Sequence, residues 1–337
     1  MTDSEITGFQ SHHKDFTTIT GQTPSLELLA EHRDYPFAHE AGIYIPETNN
    51  LWITSNRCVD PNGSKTQQRV YITRVDLNTS PITYEEIPTD IPMGNGGINY
   101  DKDSILICGQ GSMTQPSGLY RMSITAPYTT ELLKGDFYGR PFNSVNDVVV
   151  HTDGSIWFTD PIYGYRHEYR PEPCLPCQVY QWCPREGTIR AMADGFGMPN
   201  GICFSPDEKT VYITDTDRLH GDGTVFDHRA SSMYVFYAFD VSTIHGQPFL
   251  TNRRLFAMAD HGIPDGIKCD LNGNVYSGCG DGIHVWSPGG VLLGRILIDG
   301  GVANFCFGRN GEIFALNEHR LWRVQLGAGV KGALLGL

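Results

Sequence analysis

Charge is scarce in this 337-residue chain: 19% of residues are charged, and 25 basic side chains face 38 acidic ones, for a net −13. No basic stripe is visible, so a nucleic-acid partner is not expected. Long apolar runs are missing as well; none approaches the ~18 residues that a membrane span needs. The opening stretch, Met1-Thr-Asp-Ser-Glu-Ile-Thr-Gly-Phe, lacks the basic start and apolar core of a secretory signal, and a cytoplasmic location is expected. Helical periodicity is nearly absent; SLELLAEH (25–32) reads as one short helical turn. Cysteine is present but unorganised. The nine residues are odd in number and set mostly singly in apolar runs, as at Cys203 and Cys306, which reads as buried thiols. Cys174 and Cys177 form a CxxC with Cys183 nearby, but there is no second CxxC to complete a zinc site, so an irregular Pro-rich loop is the expectation.

What is abundant is turn and strand material: 38 Gly, 20 Pro, 5 Trp, 16 Tyr and 16 Phe, in a chain 40% hydrophobic, too apolar and too weakly charged to be disordered. Short apolar runs alternate with Asn-, Asp- and Gly-rich turns, whose residues tolerate the positive φ of tight hairpins. One unit recurs: VNDVVVHTDGSIWFTD (145–160), PNGICFSPDEKTVYITD (199–215) and PDGIKCDLNGNVYSGC (264–279). Weaker copies are HEAGIYIPETNNLWITS (39–55), NGGINYDKDSILICG (95–109) and ANFCFGRNGEIFAL (303–316). The leading polar positions are Glu40, Asn95, Asn146, Asn200, Asp265 and Asn304, about 53 residues apart on average. Further strand candidates lie between them at 69–77, 118–124, 178–184, 234–241, 282–290 and 320–326. Six strand-only units of this period predict an all-β, six-bladed β-propeller with four-stranded antiparallel blades around a central channel. Residues 26–337 are assigned to the ring, and residues 1–25 to an N-terminal extension that is either disordered or packed on it.

In a propeller, the starts of the innermost strands converge on one mouth of the channel. Glu40, Asn146, Asn200 and Asp265 would meet there. Two carboxylates and two amides in a confined space repel one another unless a cation sits among them. Hard oxygen donors favour Ca²⁺, with Mg²⁺, Zn²⁺ or Mn²⁺ possible. In the weaker NGGI copy, an extra residue places Gly96 in the phase of Asn200.

The stretches NSVNDVVVHTDGSIWFTDPIYGY, PNGICFSPDEKTVYITDTD and PDGIKCDLNGNVY resemble the senescence-marker-protein/gluconolactonase family, which includes regucalcin and, more distantly, propellers of the diisopropylfluorophosphatase type. HEAGIYIPETNNLWITSN is similar to the first blade of the fungal lactonohydrolase branch. The resemblance covers roughly residues 37–325. It implies a catalytic divalent cation in the channel mouth, with Glu40, Asn200 and Asp265 as ligands. Asn146 would complete the shell or hold substrate, and Asp147 beside it would be a structural hydrogen-bonder. The family often carries a basic residue and a proline before the Asn-Asp pair. This chain reads Arg140-Pro-Phe-Asn-Ser-Val-Asn-Asp, so Arg140 is the nearest candidate for a basic substrate contact.

The activity implied is hydrolysis of a small lactone, of the aldonolactone or pantolactone class, to the hydroxy acid. The cation would polarise the carbonyl, and Asp265 would activate water. His39 and Tyr163 join Asn146 and Arg140 as candidate substrate contacts, and His261 lies close to Asp265 in sequence. The segments 217–230 and 163–183 are candidate walls or lids. The alternatives are another reaction on the same metal site (phosphotriester hydrolysis, or cyclisation or isomerisation in a fungal secondary pathway) and a non-enzymatic binding propeller. The oligomeric state is open.

Overall fold

The computed structural model describes residues 8–59, 63–216 and 235–337. Six four-stranded antiparallel units surround one axis. Blade 1 contains Glu40–Ile45, Asn50–Thr54, Ile72–Asp76 and Thr83–Ile87, in that order from the axis outward. Blade 2 is built from Gly94–Asp101, Ser104–Gly109, Gly118–Ser123 and Thr130–Lys134. Blade 3 uses Val148–Val150, Ile156–Asp160, Gln178–Cys183 and Thr188–Ala193. Blade 4 uses Pro199–Phe204, Thr210–Asp215, Val235–Ile244 and Gln247–Met258. Blade 5 runs through Ile267–Cys269, Val275–Cys279, Gly282–Trp286 and Leu292–Leu297. Blade 6 takes Asn304–Phe307, Glu312–Asn317 and Arg320–Gln325 from the end of the chain and its outermost strand, Ser25–Glu31, from the beginning.

That last strand corrects the helical turn expected at 25–32. Its side chains are exposed or half-buried, so its own pattern is weak. Pairing decides instead: Ser25–Glu31 lies antiparallel to Arg320–Gln325 and closes the ring. Among the described residues before it, Gly8–Ser11 pairs with Leu292–Leu297 as a fifth strand of blade 5. A helix then spans Lys14–Thr20, with the His13 ring accepting from the Asp15 N–H as N-cap and Gly21 at φ 71° ending it. Phe16 and Ile19 pack on the Ile283, Leu293 and Ile296 side of blade 5. The described part of the extension, from Gly8 onward, therefore packs on the ring.

Aromatic side chains fill the spaces between blades, mostly edge to face, the arrangement their quadrupoles favour. Trp157 of blade 3 meets Phe204 of blade 4 at 5.5 Å, and Phe236 of blade 4 meets Trp286 of blade 5 at 4.8 Å. Tyr276 of blade 5 meets Phe307 of blade 6 at 5.1 Å, and Phe314 of blade 6 meets Tyr44 of blade 1 at 5.7 Å. All nine cysteines are free thiols, and no metal-binding group that includes one is found among the described residues. Among the described residues no helix is long and apolar enough to cross a membrane.

Because Phe16 is 1% exposed and touches the Gly294 backbone, it ties the N-terminal extension to blade 5. Phe16→Ala is expected to destabilise the protein by about 3–5 kcal/mol. Urea unfolding measures this, and an unchanged midpoint would show the extension to be energetically detached.

Candidate active site at the channel mouth

The six inner strands run side by side along the axis, and their starts ring a cavity of about 630 Å³. Glu40, Asn95, Asn146, Asn200 and Asp265 all line it, together with His39, Tyr163 and Glu318. Residues ~50 apart in sequence thus become neighbours because they share one phase of the repeat. Ligand atoms of His39, Glu40 and Asp265 lie within 4.8 Å of one another. Asn304, the sixth leading residue, donates from Nδ2 to Glu40 Oε2 at 2.6 Å.

Local backbone features aim these side chains. The pairing of the first two strands of blade 1 slips between Ala41 and Ile43, with Ala41 at φ 67° and Gly42 at φ 71°, directly after Glu40. Such a bulge re-aims the side chain next to it. Blade 4 has a comparable slip between Pro199 and Ile202, around Asn200. Small residues let the strands converge: a Cβ on Gly96 would lie 2.5 Å from the Asn146 carbonyl oxygen, and one on Gly201 would lie 2.5 Å from that of Asp265.

A second set of residues holds the leading ones in place. Thr54 Oγ1 donates to the Asn95 carbonyl at 2.9 Å, Thr159 to that of Asn200 at 2.7 Å and Thr214 to that of Asp265 at 2.9 Å. Each bond runs from the second strand of one blade to the inner strand of the next or, for Asp265, to the residues leading into it. The sequence signal is the threonine recurring at one phase in LWITS, IWFTD and VYITD. Asp147 has the structural role expected. It is 1% exposed, accepts the Ile202 N–H at 3.0 Å and lies 3.9 Å from Lys268 Nζ.

Burial and mutual repulsion raise the two central carboxyls. Glu40 is held well above the ordinary range by desolvation and by the Asp265 charge, with His39 and Asn304 pulling the other way. Asp265 is likewise raised by desolvation and by Glu318 and Asp147, against the opposing effects of His39 and Asn200. For His39, burial lowers the pKa, but the carboxylates of Glu318, Glu40 and Asp265 outweigh it and push it up to about 10.

The residues fit a divalent cation. Asn146 Oδ1 and Asp265 Oδ1 are buried and have no hydrogen-bond partner among the described residues. Buried polar oxygens are nearly always satisfied, so this pair of orphans beside a second carboxylate marks a place for positive charge. Asn200 lines the same cavity and donates from Nδ2 to the Tyr163 hydroxyl at 3.2 Å. Glu40, Asn146, Asn200 and Asp265 are therefore brought together as the sequence suggested.

The candidate substrate contacts divide. Asn146, His39 and Tyr163 line the cavity. Arg140 does not: it is exposed, on a two-stranded hairpin with Asp136–Phe137, and the arginine that lines the cavity is Arg57. Its place in that hairpin, outside the repeat phase that leads to the mouth, accounts for the correction. His261 is also outside the cavity lining and pairs with Asp260 at 3.3 Å. Of the candidate walls, 163–169 contributes Tyr163, His167 and Tyr169, whereas 217–230 lies outside the described residues. Glu318 and Arg57 were missed, since both lie outside the leading phase of the repeat.

An all-β six-bladed ring with oxygen donors gathered at one channel mouth defines the class of propellers that carry a polar reaction site on the axis. Residues 66–313 match the family described as SMP-30/Gluconolactonase/LRE-like region, and the chain belongs to that family. It is 29% identical to lactonohydrolase oryL of Aspergillus oryzae, over 94% of this chain and 73% of that one. It is 30% identical to a gluconolactonase of Zymomonas mobilis, over 56% and 52% of the two chains. Among solved structures, a gluconolactonase from Xanthomonas campestris superposes with a TM-score of 0.73 at 26% identity, covering 96% of this chain and 97% of that one.

The pKa shifts set an expected pH dependence. Glu40, Asp265 and His39 all have raised values, so the folded protein binds more protons than the unfolded chain from the carboxyl range up to about 10. Stability of chelator-treated protein should then fall as pH rises from 5 to 9. Saturating Ca²⁺ should flatten the carboxylate part of that slope, because the carboxylates would be neutralised by the ion. Melting temperatures across this range, with and without the ion, check it; identical slopes would count against a cation at these residues.

Proposed function

We propose that this protein is a metal-dependent lactonase that hydrolyses a small sugar-type or related lactone, of the aldonolactone or pantolactone class, to its hydroxy acid. The observation that carries the metal dependence is the pair of orphaned buried oxygens, Asn146 Oδ1 and Asp265 Oδ1, beside the Glu40 carboxylate. The lactonase activity rests on membership in the family and on relatives named lactonohydrolase and gluconolactonase.

Glu40, Asn146, Asn200 and Asp265 would hold one divalent cation. Their all-oxygen, partly anionic character suits Ca²⁺ best, while Mg²⁺, Zn²⁺ or Mn²⁺ could occupy such a set. When bound, the cation supplies Lewis acidity toward a lactone carbonyl and charge stabilisation for the oxyanion. The chain supplies the remainder. Asp265 takes the proton from the attacking water. Asn146, His39 and Tyr163 hold the lactone against that water. The Tyr163 hydroxyl is tied to Thr216 and Asn200, which fixes its ring in the wall.

Hydrolysis of glucono-1,5-lactone and pantolactone, followed by proton release, tests the reading. Turnover should disappear on treatment with chelator and return with Ca²⁺. Asp265→Asn should lower kcat by about 10²–10⁴-fold. Full activity after verified metal removal would overturn the proposed metal dependence.

A further inference from the structure

Glu318 stands in the turn between the strands Glu312–Asn317 and Arg320–Gln325 of blade 6, two residues past the repeat copy at 303–316. Its backbone is left-handed, at φ 57°, a conformation that costs a residue other than glycine about 1–2 kcal/mol. Strain of this kind persists where the surroundings impose it and clusters at functional sites. Two other non-glycine residues in the same region share it: Ala41, next to Glu40, and Met93, in the cavity lining.

The surroundings that impose it are visible. The Glu318 carbonyl accepts the Ala38 N–H at 2.9 Å, in an isolated bridge that fastens blade 6 to the segment leading into blade 1. Its carboxylate then reaches the cavity. Oε1 lies 2.7 Å from His39 Nδ1, and Asn56 Nδ2 donates to Oε1 at 3.3 Å and to Oε2 at 3.2 Å. Asn56 in turn accepts the Arg57 N–H on Oδ1 at 2.8 Å, and its own N–H is held by the Pro36 carbonyl at 2.9 Å. One carboxylate thus links three cavity-lining residues: His39, Asn56 and Arg57.

Stability does not explain this arrangement. The Glu318 side chain is 37% exposed, and ion pairs in contact with solvent contribute little to folding. Orientation explains it better. With Nδ1 engaged by the carboxylate, Nε2 is the ring nitrogen left for a ligand in the cavity. The backbone strain secures the geometry by holding the carboxylate at the seam between first and last blades.

We propose that Glu318 is a positioning residue: it sets the His39 ring so that Nε2 meets the bound lactone and, through Asn56, holds the loop that places Arg57 on the cavity wall. The inference rests on the lactonase reading for its substrate, but the geometry it names can be measured without turnover.

Glu318→Gly separates orientation from stability, because glycine accepts the left-handed backbone freely while removing the carboxylate. The melting temperature should be unchanged or higher, and kcat/KM for the lactone should fall by roughly 10-fold or more. Glu318→Gln keeps an acceptor oxygen for His39 and Asn56 and should recover most of that loss. Nitrogen-15 spectra of the histidine rings, with the His39 signals assigned through a His39→Gln variant, give the second readout. An Nδ1 signal shifted by a strong hydrogen bond is expected in the wild type, and an altered one in Glu318→Gly.

Unchanged His39 signals in Glu318→Gly would overturn the positioning role, as would wild-type kcat/KM in that variant. A wild-type protein that turns over no lactone while its His39 signals change in Glu318→Gly would sink the lactonase reading and leave the orientation of the ring supported.

Discussion

Six sheets stay around one axis only if the first and last are joined, and here the joint is the pairing of Ser25–Glu31 with Arg320–Gln325. Antiparallel hydrogen bonds at that seam turn a row of blades into a ring and cover the outer edge of Arg320–Gln325. The site depends on the same seam. Glu40 belongs to blade 1 and its partner Asn304 to blade 6; His39 precedes blade 1 and its partner Glu318 lies in blade 6. Asp265, just before blade 5, reaches the Glu40 carboxylate only because the ring has closed.

Around the rest of the ring, the same task is shared among short bonds from one blade to the next. Thr54, Thr159 and Thr214 reach forward to the carbonyls of Asn95, Asn200 and Asp265, and Asp147 accepts from Ile202. These contacts fix the phase between neighbouring sheets, while edge-to-face aromatics such as Trp157–Phe204 fix their tilt. The result is a rigid rim, on which side chains from different blades are held to a common geometry. That rigidity lets the rim carry what would be unfavourable elsewhere: two repelling carboxyls, two orphaned oxygens and left-handed Ala41, Met93 and Glu318. Local cost held at one cavity is part of how a reaction site differs physically from a core.

The repeat was legible because its inner two strands are buried and bounded by tight turns. The pairs 148–150 with 156–160 and 199–204 with 210–215 show this, their apolar runs meeting at Asp-Gly or Pro-Asp. The outermost strands were poorly legible. Thr83–Ile87 is exposed at every position but its last, so it carries little hydrophobic pattern, and Ser25–Glu31 could pass for a helical turn. Its partner lies almost 300 residues away in the chain, and no local propensity records such a pairing. The N-terminal helix was invisible for a related reason: seven residues are too few for a periodic signal.

By itself, the sequence determined the ring and the identity of its leading residues. A period is a local property repeated, and equal phase in a closed ring means proximity at the axis. Glu40, Asn146, Asn200 and Asp265 were accessible on that argument. Tertiary structure alone decided what lies off the phase. It removed Arg140 from the mouth and put Arg57 on the cavity wall. It also brought Glu318 to His39 across a separation of 279 residues. Such contacts depend on where loops come to rest once the blades have packed, and on a seam that forms only when both ends of the chain meet. The low charge noted at the outset takes its meaning there: a few carboxylates matter because the fold crowds them into one cavity.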